Sequence, residues 1–468
     1  MCTDLREKLK SVKRPSFMFT LVLPEGFSKM RTSLCICVIL AVICTGLGHE
    51  GDDHHRGKGH GKGKGHGERH GHGRGHGHHH GHKHEHGHHR RGNGTLPLVK
   101  LGNSEFAFRL YKHLTTQPGS QGKNVFFSPM SVTLALASLS IGARGQTHQQ
   151  LFSGLGFNNT LLTQQAVDEA FKTIITVARN GSSDDMGIGG ALFIKDGVVV
   201  NPEFLGDLEE FYLSDSFNID FTKTAEATDT INKFVGKKTY GKIDKLVTDL
   251  DPSTVMYLLS YIYLKGKWEV PFDPKDTTEE DFRIDDESTV KVQMMFVESH
   301  FSSYYDREIS TTVLHLKFNN THTMILALPE KGLDTLEDVI CKDHVSKWRK
   351  WMQAKRYKVA IPKFSIKTSY SLKDVLSGMG MEDLFTDDAD FSGISESQKM
   401  KVSEVVHQAT LDVDELGATA AAATGVSIVP LSLNRAPILK FDRPFMVLVV
   451  DSVTDSILFL GKIVDPTK

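Results

Sequence analysis

The segment from residue 49 to residue 92 limits the possible fold more than any other part of the chain. It contains 14 glycines and 16 of the 23 histidines, and it has no aliphatic or aromatic side chain. A segment of this composition cannot bury a hydrophobic core, so we expect it to be disordered. The globular fold must be built from the residues that follow, and we predict a folded domain over 93–468.

The histidines of this tail suggest metal binding. Neutral imidazole is a good ligand for Zn²⁺, Cu²⁺ or Ni²⁺, but an alternating Gly-His chain fixes no geometry. We therefore expect loose, pH-dependent sites. The eight histidines nearest the domain are the candidate ligands: His78, His79, His80, His82, His84, His86, His88 and His89. Nine Lys/Arg against five Asp/Glu also allow polyanion binding, and a solubilising tail without a dedicated ligand is the alternative.

The sequence ahead of the tail predicts export. Met30 and Arg31 precede the apolar run LCICVILAVIC (34–44) and the small residues TGLG. This pattern is typical of a secretory signal peptide, and the run is shorter than the roughly 20 residues of a membrane span. We assign 30–48 as the signal peptide and predict a secreted, extracellular protein without a membrane span. Residues 1–29 are interpreted as a doubtful N-terminal extension.

The domain itself is acidic and carries glycosylation signals. Residues 1–48 and 49–92 each have a net charge of +4, which leaves −10 on 93–468 in a chain of net charge −2. The N-x-S/T pattern, the acceptor for surface glycans in secreted proteins, occurs four times. The predicted sites are Asn93, Asn158, Asn180 and Asn319.

Helical and strand patterns alternate irregularly along the domain. The segment 128–145 has a Ser-Pro start and a long apolar run, which predicts a buried helix. Ile231, Phe234 and Val235 recur at helical spacing before Gly241. A buried strand is predicted over 256–268, and FMVLVV and ILFLGKIV flank a turn, as in a buried hairpin. The fold class is α+β with large, mostly antiparallel sheets.

No catalytic constellation is apparent. The chain contains no G-x-S-x-G, no H-E-x-x-H and no Walker-type loop, and the seven histidines outside the tail are scattered singly. We therefore predict that the protein is not an enzyme. No cofactor and no nucleic-acid partner are predicted.

The segment 415–440 is unusual because small residues dominate its first half. Gly417 is followed by six small residues in a row: Ala418, Thr419, Ala420, Ala421, Ala422 and Ala423. Such a sequence suits a strand that must slide between existing strands without steric conflict. A flexible Ala/Gly linker is the alternative, although loops of this length inside a domain are usually functional.

Eight segments, read together, resemble the ordered motifs of the serpin family, and in particular the alpha-1-antitrypsin group of secreted plasma serpins. They cover residues 95–468 and read NVFFSPMSVTLALASLSIGARGQTHQQ, TINKFVGKKTYGKIDKLV, YIYLKGKWEVPFDPKDT, ALPEKG, IPKFSI, ADFSGI, VHQATLDVDELGATAAAA and FDRPFMVLVVDSVTDSILFLGKIVDP. The resemblance implies a fold of three β-sheets and about nine helices with an exposed reactive-centre loop.

The resemblance also implies a mechanism. A target serine protease would attack Leu431, the seventeenth residue counted from Glu415, and release Ser432. The freed hinge segment, residues 417–423 with Glu415 at its start, would then insert as a new strand and stall deacylation in a covalent complex. Leu433 is the alternative cleavage residue, because the stretch after Leu431 is about two residues longer than in relatives. A leucine suits chymotrypsin-like or elastase-like pockets.

A polar group controls sheet opening in relatives, and the resemblance carries this role to five positions of this chain: Ser128, Ser131, Ser260, His407 and Trp268. Ser260 stands where relatives have Asn. Relatives also pair the acid at Glu415 with a lysine, whose place Phe296 takes here, so we expect that pairing to be absent or made differently. Heating is therefore predicted to favour sheet opening and polymers.

The hinge composition favours inhibition over ligand transport. Its residues are small and include no proline, as insertion requires. The alternative is a non-inhibitory serpin that carries a small hydrophobic ligand such as a hormone. In either case we expect a monomer.

Overall fold

The computed structural model describes residues 92–180, 186–243, 245–264, 266–318, 321–417 and 436–468. The predicted extension, signal peptide and histidine-rich tail, except Gly92, lie outside these residues. Within the described residues the chain forms nine α-helices and fourteen β-strands.

The helices are spread along the chain between the strands. They are α1 (Gly92–Thr115), α2 (Pro129–Ser140), α3 (Gly145–Gly154), α4 (Gln164–Asn180), α5 (Pro202–Tyr212), α6 (Thr224–Lys238), α7 (Leu333–Glu337), α8 (Lys342–Trp351) and α9 (Lys373–Gly378). The strands are β1 (Val125–Phe127), β2 (Met186–Lys195), β3 (Asp215–Ile219), β4 (Met256–Leu264), β5 (Thr278–Arg283), β6 (Thr289–Asp306), β7 (Thr311–Lys317), β8 (His322–Pro329), β9 (Gln353–Pro362), β10 (Phe364–Ser371), β11 (Glu404–Val413), β12 (Ile438–Lys440), β13 (Phe445–Asp451) and β14 (Ile457–Ile463).

The strands form two hydrogen-bonded networks. The five-stranded sheet has the order β10-β11-β4-β2-β3, and the other sheet has the order β1-β14-β13-β8-β7-β6-β9-β12 with β5 also paired to β6. The resemblance implies three sheets. The 18-residue strand β6 belongs to two of them and joins them into the larger network. It pairs with β9 over most of its length and with β7 only through its last residues.

Helix α2 is the buried helix that the sequence predicts. Its twelve residues are all buried. The side chain of Ser128 caps the helix by accepting a hydrogen bond from the Ser131 amide, and Pro129 occupies the first turn, where its missing N–H costs nothing. The helix packs on both β4 and β14.

Other predicted elements are also present. Ile231 and Val235 are buried on α6, and the amide of Gly241 donates to the carbonyl of Gly236 with φ at +77°. The buried hairpin is β13–β14, whose strands pair antiparallel through fully buried residues. The predicted strand over 256–268 is shorter than expected, because β4 ends at Leu264.

The strand pairing that positions the candidate site lies at the centre of the five-stranded sheet. Strand β4 is buried at all nine positions and lies between β2, which is antiparallel to it, and β11, which is parallel to it. The parallel register runs from Glu404 opposite Tyr257 to Thr410 opposite Tyr263. Strand β11 then leads directly into Glu415 and Gly417. Among the described residues, no helix is long and apolar enough to cross a membrane.

Candidate functional site

Four of the five predicted sheet-opening residues form one buried cluster beneath the β4–β11 pair. His407 of β11 stands opposite Ser260 of β4 in the register. Its Nδ1 lies 2.9 Å from Ser260 Oγ and 3.4 Å from Ser131 Oγ, and its Nε2 lies 2.9 Å from the amide nitrogen of Ser128. The imidazole thus ties both central strands to the beginning of α2.

The hydrogen-bond partners of His407 determine which ring nitrogen carries the proton. The Ser128 amide can only donate, so Nε2 accepts and the proton of a neutral ring is on Nδ1, from which it is donated to Ser260. Complete burial lowers the pKa of His407 to about 3. The ring is therefore neutral at physiological pH, and the closed sheet buries no charge at this cluster.

The hinge beyond β11 begins with a paired acid. Glu415 is nearly buried; its Oε2 lies 2.8 Å from Lys363 Nζ, and its Oε1 accepts a hydrogen bond of 3.0 Å from the hydroxyl of Thr277. Burial alone would raise the pKa of Glu415, but the hydrogen bonds from Lys363, the backbone and Thr277 outweigh it and lower the pKa below its ordinary value. Glu415 is charged and anchored.

Glu415 has a cationic partner, so the expectation that its pairing is absent is wrong. Phe296 lies in β6 opposite Ala360, with Lys358 Nζ 4.8 Å from its ring centroid. The cation that pairs with Glu415 is Lys363, which lies between β9 and β10. Lys363 lies in the motif IPKFSI but was given no role there, and Thr277 was missed, because only the packing of the strands brings the two to the hinge.

Trp268 lies apart from the serine–histidine cluster. Its indole N–H donates to the Asp414 carbonyl at 2.8 Å and its amide donates to the Leu416 carbonyl at 3.2 Å. The ring stacks on Phe318 with centroids 4.5 Å apart. Trp268 thus holds the backbone at the start of the hinge, about seven residues of strand, or roughly 23 Å, from His407.

Gly417 has a conformation and a position that admit only glycine. Its φ is +95°, and a Cβ there would overlap the Gly266 carbonyl oxygen and lie 2.7 Å from Lys267 Cα.

The predicted hinge and scissile residues after Gly417 are not among those that the structure describes. Only Glu415 and Gly417 of the predicted hinge have a described position, and both lie at the exit of β11. The remaining predicted hinge and cleavage positions lie outside the described residues: Ala418, Thr419, Ala420, Ala421, Ala422, Ala423, Leu431, Ser432 and the alternative Leu433. The roles assigned to them therefore stay predictions.

One of the four glycosylation positions has a described side chain. Asn158 is exposed, and its Oδ1 accepts hydrogen bonds from the amide (2.9 Å) and the hydroxyl (2.6 Å) of Thr160. The side chains of Asn93 and Asn180, and the whole of Asn319, lie outside the described residues. So do the eight tail histidines, and among the described residues no group of three or more His, Cys, Asp or Glu side chains could hold a metal ion.

A separate groove of about 740 Å³ lies between α1, α8 and the start of β14. Its lining combines apolar side chains with several cationic ones. It includes Pro97, Lys100, Leu101, Lys342, Val345, Arg349, Lys350 and Ile457. Lys342 pairs with Glu105 at 3.4 Å, and Arg349 pairs with Asp455, so part of this charge is neutralised.

The family model for serpins, described as serine protease inhibitor, matches residues 101–466. The chain belongs to the serpin family. This serpin is 41% identical to alpha-1-antiproteinase 2 of Equus caballus, over 78% of its length and 86% of the relative, and 40% identical to alpha-1-antiproteinase of Rattus norvegicus, over 78% and 88%. Human thyroxine-binding globulin has a similar structure, with a TM-score of 0.76 and 35% identity over 80% of this chain and 100% of that one.

These relatives confirm the α+β serpin fold. The serpin also resembles human glycosylated kallistatin, with a TM-score of 0.75 and 36% identity over 80% of this chain and 100% of that one. The family comprises serine protease inhibitors by description, and the similar alpha-1-antiproteinases are consistent with that activity.

Proposed function

We propose that the protein is a secreted inhibitor of chymotrypsin-like or elastase-like serine proteases that traps its target by inserting the cleaved reactive loop between β4 and β11. The observation that carries the proposal is the parallel pairing of β4 and β11, with Gly417 at a positive φ just beyond the end of β11. A chain that leaves β11, reverses and enters beside it runs antiparallel to both strands. One parallel pairing, the slightly weaker kind, is then replaced by two antiparallel pairings.

The lengths are compatible with this insertion. Fourteen residues, 418–431, separate Gly417 from the predicted cleavage point, and β4 has nine. In extended conformation fourteen residues span about 46 Å, enough to carry an acylated protease to the far end of the sheet. The hinge residues 418–423 are small and include no proline, so they place little bulk into a sheet that is already packed on α2.

The acyl bond forms at the Leu431 carbonyl: the catalytic serine of the protease attacks, the Leu431–Ser432 peptide bond breaks, and the new amino group leaves on Ser432. Insertion must outrun hydrolysis of that acyl bond, so trapping is kinetic. The protein itself supplies no catalytic group. Its Leu431 side chain occupies the primary pocket of the protease and sets the specificity.

The direct experiment incubates the purified chain with chymotrypsin, elastase and trypsin and measures SDS-stable complexes and stoichiometry. We expect complexes with the first two and release of a peptide that begins at Ser432. A new amino terminus at Asn434 or Ala436 would contradict the assignment of Leu431. The matched variants Leu431→Ala and Leu433→Ala separate the two leucines, because only the former should slow complex formation.

A pair of neighbouring substitutions tests insertion itself. Side chains alternate between the two faces of a strand, so one of Ala421→Asp and Ala422→Asp would bury a carboxylate and the other would expose it. The buried one should turn the inhibitor into a substrate that is cleaved without complex, while the other remains inhibitory. If both variants inhibit normally, the loop does not insert.

A second candidate function is the carriage of a small hydrophobic ligand. The α1–α8 groove of about 740 Å³ is in the range of small-molecule sites, and its lining combines apolar side chains with cations such as Lys100 and Arg349. A similar solved structure is described as thyroxine-binding globulin in complex with thyroxine. Quenching of tryptophan fluorescence by thyroxine, compared between the chain and a Leu101→Arg variant, tests it. Micromolar binding that the variant loses favours carriage, whereas the absence of saturable quenching excludes this ligand.

The remaining proposals concern the secreted context. We propose that 30–48 is removed on export, that Asn93, Asn158, Asn180 and Asn319 carry glycans, and that the tail histidines bind Zn²⁺, Cu²⁺ or Ni²⁺ loosely or contact polyanions. Equilibrium dialysis of Zn²⁺ against the full chain and against residues 93–468 tests the tail. Binding that persists without the tail, or is absent with it, contradicts the metal proposal.

A further inference from the structure

The segment that follows α6 crosses from β4 to β11 on one face of the five-stranded sheet. Tyr240 contacts Tyr263 of β4, with ring centroids 6.3 Å apart. Two residues later, Lys242 Nζ lies 2.8 Å from Oδ2 of Asp412, which belongs to β11. One short stretch of chain therefore contacts both strands of the parallel pair.

Helix α6 itself is attached to the strands on the β4 side of that pair. Phe234 of α6 contacts aromatic rings on three strands, at centroid distances of 5.9, 5.1 and 6.2 Å; these are Phe193 of β2, Phe217 of β3 and Tyr261 of β4. At the end of the helix, Lys238 forms an ion pair of 2.7 Å with Asp215 of β3. When β4 and β11 separate, these contacts keep the helix with β2, β3 and β4.

Asp412 is held in position to receive Lys242. Ser365, which stands opposite Asp412 on β10, donates its hydroxyl to Oδ1 at 2.6 Å. Burial alone would raise the pKa of Asp412, but the hydrogen bonds from Lys242 and Ser365 outweigh it and lower the pKa below its ordinary value. The carboxylate is therefore charged at neutral pH. It lies five residues before Gly417, near the end of β11 from which the hinge departs.

The turn that brings Lys242 to Asp412 has an unfavourable backbone. Tyr240 and Gly241 have φ angles of +53° and +77°, and a positive φ is costly for a tyrosine. Such a conformation persists only where surrounding contacts maintain it. Here the ring of Tyr263 contacts the turn from the β4 side, and Asp412 binds it from the β11 side.

We propose that the Lys242–Asp412 ion pair is a latch that keeps β11 beside β4 and must break before the reactive loop inserts. A strand inserted between β4 and β11 moves them apart by one strand spacing, about 4.8 Å. An ion pair of 2.8 Å cannot stretch by that amount while α6 stays on the β4 side. The Lys238–Asp215 pair lies on one side of the opening and can remain intact.

Strand separation is measured without a protease, as amide hydrogen exchange of β4 and β11 in the intact full chain. Lys242→Met and Asp412→Asn should each raise exchange there about two- to fivefold, the factor that a partly exposed ion pair contributes to an opening equilibrium. The amides of β13 and β14 should keep their rates, because the latch does not contact them.

Lys238→Met is the matched control for the latch. It removes an ion pair from the end of the same helix, with side chains 39% and 41% exposed, against 40% and 26% for Lys242 and Asp412. Its partner lies on β3, so exchange of β4 and β11 should stay unchanged. An equal effect of Lys238→Met and Lys242→Met overturns the latch, and so does unchanged exchange in Lys242→Met.

A charge exchange separates the ion pair from a purely structural role of the two side chains. The double variant Lys242→Asp/Asp412→Lys restores the pair with reversed charges and should return exchange to the rate of the unaltered chain. Salt at 1 M should narrow the difference between the unaltered chain and Lys242→Met, because ions screen a partly exposed pair. No recovery in the double variant, or no effect of salt, overturns the latch.

The consequence for inhibition rests on the proposed function and is measured with saturating chymotrypsin. The rate of SDS-stable complex formation and the ratio of complex to cleaved, released chain both depend on how fast the loop inserts. At least one of them should rise twofold or more in Lys242→Met, and neither should rise in Lys238→Met. If both stay constant while strand exchange is faster, the latch does not limit insertion and that step is overturned. If the unaltered chain forms no complex, the inhibitory function fails, and hydrogen exchange still decides the latch.

Discussion

Two ionisable residues lie near opposite ends of β11 in the central sheet. His407 is neutral because complete burial lowers its pKa to about 3, and Glu415 is charged because Lys363 and Thr277 bind its carboxylate. The folded pKa of His407 lies below the unfolded value of about 6.5, so its contribution to stability is complete above that pH and falls as the pH drops below it. The neutral cluster favours a closed sheet, and the charged pair anchors the hinge.

Ser260→Ala should destabilise the closed sheet by about 1–3 kcal/mol, because the Nδ1 proton of His407 loses its acceptor at 2.9 Å. Urea unfolding measures the loss, and native gels after mild heating should show more polymer. Ser131→Ala is the matched control: its oxygen lies 3.4 Å from the same nitrogen, so it should cost less. Equal losses of stability in the two variants would mean that the hydrogen bond of His407 to Ser260 contributes no more than its contact with Ser131.

Lys363→Met should raise the pKa of Glu415 and lower the stability by about 1 kcal/mol. The expected loss is modest because the Lys363 side chain is 47% exposed and solvent screens the pair. The double variant Lys363→Met/Glu415→Gln removes the unpaired charge and should regain much of the loss. Chemical denaturation at pH 7 compares the three proteins, and a double variant no more stable than Lys363→Met would contradict this account of the ion pair.

Elements with one clear periodicity could be predicted from the sequence, and relationships between elements could not. Helix α2 and the β13–β14 hairpin follow from local patterns of apolar residues. The ion pair between Lys363 and Glu415 depends on how β9, β10 and β11 meet, which no local pattern encodes. The resemblance groups Trp268 with the serine–histidine cluster, yet Trp268 lies at the other end of β11, because a resemblance assigns a role but no distance.

A buried acid joins four helices in a way that the sequence did not indicate. Asp168 of α4 accepts from the hydroxyl of Tyr212 on α5 at 2.6 Å and from the amide of Gln164 at 2.7 Å. Gln164 in turn contacts Ser140 of α2 and His148 of α3 through its carbonyl oxygen. Burial raises the pKa of Asp168 to about 6 despite the two hydrogen bonds. The folded state therefore binds this proton more tightly than the unfolded chain does.

Asp168→Asn should increase stability at pH 7 and flatten its pH dependence between about 4 and 6. With a folded pKa above the unfolded one, the acid contributes most below its unfolded pKa, and that contribution is lost as the pH rises through about 6. The difference at pH 7 is on the order of 2–3 kcal/mol. Urea unfolding across this range, with the exposed Asp229→Asn on α6 as control, checks it. A variant with the slope of the unaltered chain would show that Asp168 does not titrate there.

At the scale of the whole molecule, the composition break near residue 92 and the acidic domain behind it follow directly from the sequence. The direction of loop insertion does not, because it depends on β4 and β11 being parallel, and their sequences are equally apolar in either orientation. Because β4 and β11 are parallel in the native sheet, an antiparallel strand added between them would increase the stability of the sheet. The native fold and the cleaved fold would therefore differ in stability although they share one sequence.

Cleavage of the loop between residues 418 and 431, followed by insertion, should raise the thermal stability of the full chain. For a domain of this size, each kcal/mol that the two antiparallel pairings add should raise the transition by about 2 °C. Differential scanning calorimetry of intact and cleaved chain measures it. The variant Gly417→Ala serves as control, because strain at a positive φ should lower the transition of the intact chain more than that of the cleaved chain, in which the hinge has left this turn. A cleaved chain that melts at the same temperature as the intact one would mean that β4 and β11 stay paired and that inhibition, if observed, has another origin.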